Sequence, residues 1–299
     1  MKITRRAFLE HCAACAAAIG LAPVGLQRLE AALAESAPTI LWLHGSGCQG
    51  DSISFLNRID PAATAGLQTV DDLLVNSVNL AYHTVVMASA GETAVTMAKE
   101  AQSQGGYILA LEGGVPREFG GRACQVWSDG GQEVTYEQAV LDLAAQAQAI
   151  VAIGTCASFG GIPCSGANPT DVVGIQEATG KSVINIPGCP AHPDWIAWAL
   201  VQLLLGDPVP LDAYGRPLAL YGHPVHEHCP RLDHTQATAF GQDNHCLLDL
   251  GCRGKTAFSD CPARKWNNGV NWCVDANGLC IGCVEPTFPG GSFYLDQNS

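Results

Sequence analysis

Charge is scarce in this chain. Asp, Glu, Lys and Arg make up 14% of its 299 residues, against about 25% in an ordinary soluble domain. So little charge implies that much of the surface is covered by something else. Cations are scarcer still: 15 Lys and Arg face 28 Asp and Glu, for a net charge of −13. That balance argues against a nucleic-acid partner, because phosphate binding needs clustered Lys and Arg. Beyond the N-terminus no apolar run approaches the about 20 residues that span a bilayer. Residues 196–205 are apolar but too short, and residues 292–299 carry no anchor. No internal repeat is present. What the chain does have is apolar bulk, 47% of residues, which excludes global disorder, and 14 cysteines. Those allow seven disulfides or several metal centres, and spacing must decide between them.

Residues 1–34 read as an address rather than structure. Thr4-Arg5-Arg6-Ala7-Phe8-Leu9 is a twin-arginine pattern, followed by an apolar stretch from Cys12 to about Leu26 and a small-residue cleavage pattern at Ala32-Leu33-Ala34. At about 15 residues, the stretch is short for a membrane anchor. Cys12 and Cys15 lie in the discarded segment and receive no role. Removal would take away four cations and two anions, leaving a charge of −15. The expectation is a soluble periplasmic protein. Export normally favours disulfides, but the twin-arginine route carries folded proteins, often with cofactors inserted, and so reopens the metal-cluster reading.

Residues 35–205 alternate strand-like runs (39–44, 107–112, 149–154, 182–186) with helix-like segments (93–102, 136–148, 193–205). Short runs rich in Ile, Leu and Val suit parallel strands buried on both faces. The alternation predicts a doubly wound α/β domain. From residue 206 to 299 periodicity disappears and Gly, Pro, His, Cys and Asn dominate. About 90 residues with so little regular structure need an organiser other than an apolar core.

In open α/β sheets ligands bind beyond the carboxyl ends of the strands. Cys48, Cys156 and Cys189 follow three predicted strands, each among glycines that let backbone approach a bulky inorganic group. Three converging thiolates suggest an iron–sulfur cluster. Asp51, three residues after Cys48, is the candidate fourth ligand, with a helix N-cap as the plain alternative. Further on, Cys229, Cys246 and Cys252 form a set with His226, although His223 and His228 compete. Cys261, Cys273, Cys280 and Cys283 form a second set. Either could hold a cubane cluster or zinc, and disulfides remain the bland alternative. Cys124 and Cys164 are left as structural thiols.

Taken in order, these motifs resemble the small subunit of nickel–iron hydrogenases. The resemblance rests on Leu41-Trp-Leu-His-Gly-Ser-Gly-Cys48, Leu111-Glu-Gly-Gly-Val-Pro116, Gly154-Thr-Cys-Ala-Ser-Phe-Gly-Gly161, Asn168-Pro-Thr170, Pro187-Gly-Cys-Pro190, Val225-His-Glu-His-Cys-Pro-Arg231, Leu250-Gly-Cys-Arg-Gly254 and Cys280-Ile-Gly-Cys283. It implies a flavodoxin-like N-terminal domain, an irregular C-terminal domain and three clusters in a row. The proximal cluster would sit on Cys48, Cys156 and Cys189, facing the nickel–iron site of a large subunit, the medial on Cys261, Cys280 and Cys283, and the distal on His226, Cys229, Cys246 and Cys252.

Two departures stand out. Asp51 replaces a cysteine found in most members. Cys273 replaces a proline common where the medial cluster is 3Fe–4S, so all three clusters are expected to be 4Fe–4S. The protective extra cysteine of some oxygen-tolerant members is absent, Gly161 standing there. The implied role is electron transfer between the partner's hydrogen-activating site and an acceptor such as a cytochrome, since the chain lacks paired C-x-x-C motifs for nickel. A hydrogen sensor, another redox complex's iron–sulfur subunit and a disulfide-rich secreted binding protein are the alternatives.

Overall fold

The structure, a computed structural model, describes residues 38–57, 70, 78–206 and 208–290. The twin-arginine pattern with Cys12 and Cys15, and the tail 292–299, lie outside the described residues.

A five-stranded sheet forms the N-terminal part. Its strands are β1 (Thr39–His44), β2 (Asn79–His83), β3 (Ile108–Glu112), β7 (Ala149–Ile153) and β9 (Ile184–Ile186). They lie in the order β2-β1-β3-β7-β9, all parallel. Taken among these five alone, that is 2-1-3-4-5, the flavodoxin-like order, whose switch point falls between β1 and β3. The doubly wound expectation holds. Alternate residues along each strand feed two cores. Ile40, Trp42, Ile108, Ala110, Val151 and Ile153 face one way, and Leu41, Leu43, Leu109, Leu111, Ile150 and Ala152 the other.

Helices α1 (Gly50–Leu56), α2 (Gly91–Gln104), α3 (Tyr136–Ala144), α4 (Gly154–Phe159) and α5 (Ile175–Thr179) lie between the strands, and α6 (Pro193–Leu205) follows the last of them. Helix α6 starts where His192 Nδ1 accepts the N–H of Asp194 at 3.1 Å, with Pro193 in the first turn, and ends at Gly206 in the left-handed conformation. Its Trp195, Ile196 and Trp198 are buried. Truncating Trp195 to Ala would cost about 3–5 kcal/mol.

Two features went unread in the sequence. Strand β2 carries a mixed Asn-Leu-Ala-Tyr-His pattern at the sheet edge. A hairpin joins β5 (Gln125–Asp129) and β6 (Gln132–Thr135). Its turn residues Gly130 and Gly131 both have positive φ, which is why Asp129-Gly130-Gly131 makes a hairpin turn. A two-residue pair, β4 (Val115–Pro116) with β8 (Val172–Val173), closes the rim.

Beyond Gly206 only short elements occur among the described residues, notably α7 (Leu218–Tyr221), a 3-10 turn at Val225–His228 and α8 (Cys261–Arg264). Leu220, Tyr221, Val225, Ala257, Trp272, Val274 and Val284 join α6 and one sheet face in a single core. Two buried arginines bind distant segments. Arg216 pairs with Asp212 at 2.7 Å and Glu285 at 2.9 Å, and donates to the Val284 carbonyl. Arg231 donates to the carbonyls of His245 and Val274 and to Asn277 Oδ1.

Candidate metal centres

The carboxyl end of β3 delivers Glu112, which is 1% exposed, to the switch point. Its carboxylate accepts the indole N–H of Trp42, the backbone N–H groups of Asp51 and Ser52, and the Ser52 hydroxyl. It thereby holds the first turn of α1, where an anion is favoured.

Asp51 does not cap α1. Gln49 occupies the N-cap position with no side-chain cap bond, and the Asp51 carboxylate instead accepts the N–H of Ala191 at 2.6 Å. A Cβ at Gly154, where φ is +84°, would overlap that carboxylate. Burial, and then the Glu112 charge, raises its pKa to about 8. Gly154 and Ala191, which pack on and bond to the Asp51 carboxylate, each lie two residues from Cys156 and Cys189, and a Cβ at Gly50 would meet both Cys48 Sγ and Pro190, beside Cys189. The structure therefore brings these four together where β1, β7 and β9 end. Gly161, with φ +54°, leaves room beside them, since a Cβ there would lie 3.0 Å from Cys156 Sγ.

Cys261, Cys273, Cys280 and Cys283 converge likewise. Cys261 senses the charges of Cys283 and Cys273, and Cys280 those of Cys283 and Cys261. Cys229 senses Cys252 and Cys246. His226 donates its backbone N–H to the Gly254 carbonyl at 2.8 Å, and Gly254 faces both His226 Cβ and Cys252 Sγ. Burial and Lys255 lower the His226 pKa, which favours the neutral imidazole that ligates metals. His223 and His228 are exposed and form an edge-on pair with each other.

The three sets touch in sequence. The hydroxyl of Thr155, beside Cys156, donates to the Cys283 carbonyl. The N–H of Arg253, beside Cys252, donates to the Cys280 carbonyl at 2.7 Å, and Cys280 also senses the Cys252 charge. Thr155 and Arg253 were not singled out in the sequence, because a ligand's neighbour carries no mark of the partner it will meet.

All twelve cysteines of the described residues are unpaired. Burial pushes the thiols up, Cys156 to about 12, Cys189 to about 11 and Cys283 to about 12. Catalytic thiols are held low instead. Buried thiols that disfavour their own anions fit metal coordination, which deprotonates them outright. Donor spacing bears on the metal. Thiolate donors about 2.3 Å from a tetrahedral zinc lie about 3.8 Å apart. Among the described residues, the group of metal-capable side chains whose donors all lie within 4.8 Å of one another is His223, Glu227 and His228. No three cysteine sulfurs of the described residues lie that close. Trp272, next to Cys273, also has a buried indole N–H without a partner, a donor available to a cluster sulfide.

A flavodoxin-like sheet whose strand ends lead into successive buried thiol sets defines an iron–sulfur electron-transfer protein. Comparison with known proteins is specific. Residues 48–203 match the family described as NADH ubiquinone oxidoreductase, 20 Kd subunit, and residues 221–294 match the C-terminal family of the NiFe/NiFeSe hydrogenase small subunit. The periplasmic [NiFeSe] hydrogenase small subunit of Desulfomicrobium baculatum is 37% identical, over 99% of this chain and 100% of its own length. The periplasmic [NiFe] hydrogenase small subunit of Solidesulfovibrio fructosivorans is 36% identical over 96% of this chain and 90% of its own. The solved [NiFeSe] hydrogenase of Desulfovibrio vulgaris Hildenborough superimposes with a TM-score of 0.80 at 36% identity, covering 87% of this chain and 98% of that one. The chain belongs to the family of nickel–iron hydrogenase small subunits, the electron-transfer subunits of oxidoreductases whose catalytic site lies on the large subunit.

Proposed function

We propose that this chain conducts electrons through three 4Fe–4S clusters in a row. Cys48, Asp51, Cys156 and Cys189 hold the proximal one, Cys261, Cys273, Cys280 and Cys283 the medial one, and His226, Cys229, Cys246 and Cys252 the distal one. The observation that carries this reading is the pair of hydrogen bonds that join the Cys280–Cys283 segment to both flanking sets, from the Thr155 hydroxyl to the Cys283 carbonyl and from the Arg253 N–H to the Cys280 carbonyl. The clusters, when bound, supply one-electron carriers. The protein's residues bury the thiols, exclude water and direct N–H groups at the sulfurs, and those are the levers on potential.

The proximal set opens toward the surface. Cys48 is exposed, and so are Ile53, at 60%, and Ile162, at 52%. Large apolar side chains there suit docking of an obligate large subunit. The distal end then faces the acceptor. The acidic charge suits a basic redox protein such as a cytochrome. Residues 1–34 would direct twin-arginine export to the periplasm, residues 35–205 would form the proximal-cluster domain, and residues 206–299 the domain of the other two clusters.

Co-purification from the native host tests the whole reading. The heterodimer should contain about 12 irons in three cubanes, besides the iron of the partner's nickel–iron site, with about 12 acid-labile sulfides and hydrogen uptake. Iron-free protein would sink it. Within that preparation, Asp51→Asn should shift the proximal potential, and an unchanged spectrum and potential would remove Asp51 from the ligands. Cys273→Pro should create the oxidised 3Fe–4S paramagnetic signal. Wild type already showing that signal would mean that Cys273 binds no iron.

A further inference from the structure

His223, Glu227 and His228 take no part in the three sets described above. Each nevertheless offers a donor atom, and the three donors lie within 4.8 Å of one another. His223 Nδ1 is 3.2 Å from Glu227 Oε2. The His223 and His228 rings meet edge-on, 5.7 Å between centroids. All three side chains are exposed, so a cation could reach them from solvent.

A surface ion pair between His223 and Glu227, four residues apart, would account for the carboxylate contact alone. It gives no reason for a second imidazole to complete the triangle. The 3-10 turn at Val225–His228 does so by construction. It holds Glu227 and His228 side by side, while Pro224 fixes the approach of His223. The turn itself is anchored, because the N–H groups of Val225 and His226 donate to the carbonyls of Ala257 and Gly254 at 2.7 and 2.8 Å. Two imidazoles and a carboxylate are the donor set of zinc and of other late first-row divalent ions. Donors about 2.1 Å from a tetrahedral zinc lie about 3.4 Å apart. One separation already satisfies that value, and exposed side chains can close the others.

We infer that His223, Glu227 and His228 form a binding site for a divalent transition metal of the zinc class, with its remaining positions open to water or to a side chain from another protein. The site brackets His226 in sequence, so its consequence for electron flow rests on the distal-cluster reading above. A divalent cation beside that cluster should raise its potential and disfavour a positively charged acceptor.

The test uses the purified heterodimer, freed of loosely held metal by dialysis and titrated with Zn2+ alone. Wild type should retain one zinc beyond its iron content, and His223→Ala and Glu227→Gln should each weaken binding by at least about tenfold. The distal paramagnetic signal, unchanged in zinc-free His223→Ala, certifies that the cluster survived the substitution. No retained zinc in wild type, or equal affinity in both variants, overturns the proposal. Zinc that binds through His223 but leaves the distal potential unmoved upholds the metal site and counts instead against His226 as a cluster ligand.

Discussion

Between β1 and α6 the chain buries backbone in parallel ladders; beyond Gly206 it buries arginine. In the first region the strands satisfy one another's N–H and C=O groups, and two apolar cores clamp the sheet from both sides. In the second, carbonyls of Val274, His245 and Val284 find Arg231 and Arg216, and, apart from the residues it lends to the sheet's core, its own apolar cluster is Ala237, Leu247, Leu250 and Leu279. One region would recognise its fold without any cofactor. The other has irregular backbone stitched by a few charged hydrogen bonds around its thiol sets. Iron bound there would therefore contribute stability, whereas iron at the sheet edge would contribute chiefly function.

Removing iron is the strongest way to break that contrast. Chelation under reducing conditions should abolish amide protection across residues 222–290 while β1, β3 and β7 keep theirs, as read by hydrogen exchange. Loss of protection in both regions together would make them one cooperative unit.

A smaller effect is expected where the regions are joined. Thr155 Oγ1 accepts the Gly188 N–H at 2.9 Å and donates to the Cys283 carbonyl. Thr155→Val keeps the shape and leaves both groups unpaired, at a cost of about 1–3 kcal/mol. The thermal midpoint should drop, and the potential linked to Cys283 should move while that linked to Cys229 stays. A midpoint equal to wild type would mean that the two regions are held by the shared core alone.

The smallest effect separates them by pH. His83 is buried against Trp42, its Nδ1 accepting the Val85 N–H. Burial, helped by the nearby His44, lowers its pKa from 6.5 to about 4. Between those values the unfolded chain takes up a proton that the folded one refuses. The contribution is therefore complete above pH 6.5 and is lost as the pH falls toward 4. His83→Asn, which retains an acceptor for Val85, should flatten the stability profile over that window in the sheet region. An identical slope in the variant would assign the acid sensitivity to another group.

The contrast also sorts what could be read in advance. Strand β1 and helix α6 were legible to the residue, because continuous Ile-Leu-Trp-Leu and a Pro start with a Gly stop are local signals. The sequence run 149–154 overshot by one residue, since Gly154 already begins α4. The ten proposed cysteine ligands and His226 could be named, because thiols at strand ends and close-spaced pairs advertise themselves. Glu112, Thr155 and the two arginines were silent. Each owes its role to a partner 43 or more residues away, and single-sequence patterns carry no such pairing. The cap reading of Asp51 failed for the same reason: its carboxylate accepts instead from the Ala191 N–H, 140 positions on.

Thr155 and Cys283 stand 128 residues apart, and that separation sets a timetable for synthesis. The ribosome delivers the five strands in order, and the sheet is complete once Ile186 has emerged. The medial thiols appear last of all, at positions 261–283, so a nascent chain spends its final stage with the proximal residues assembled and Thr155 still waiting for its acceptor. A chain halted before residue 280 would present a finished sheet with one bare hydroxyl at the seam. The order of translation thus makes the join between the two regions the final checkpoint of assembly.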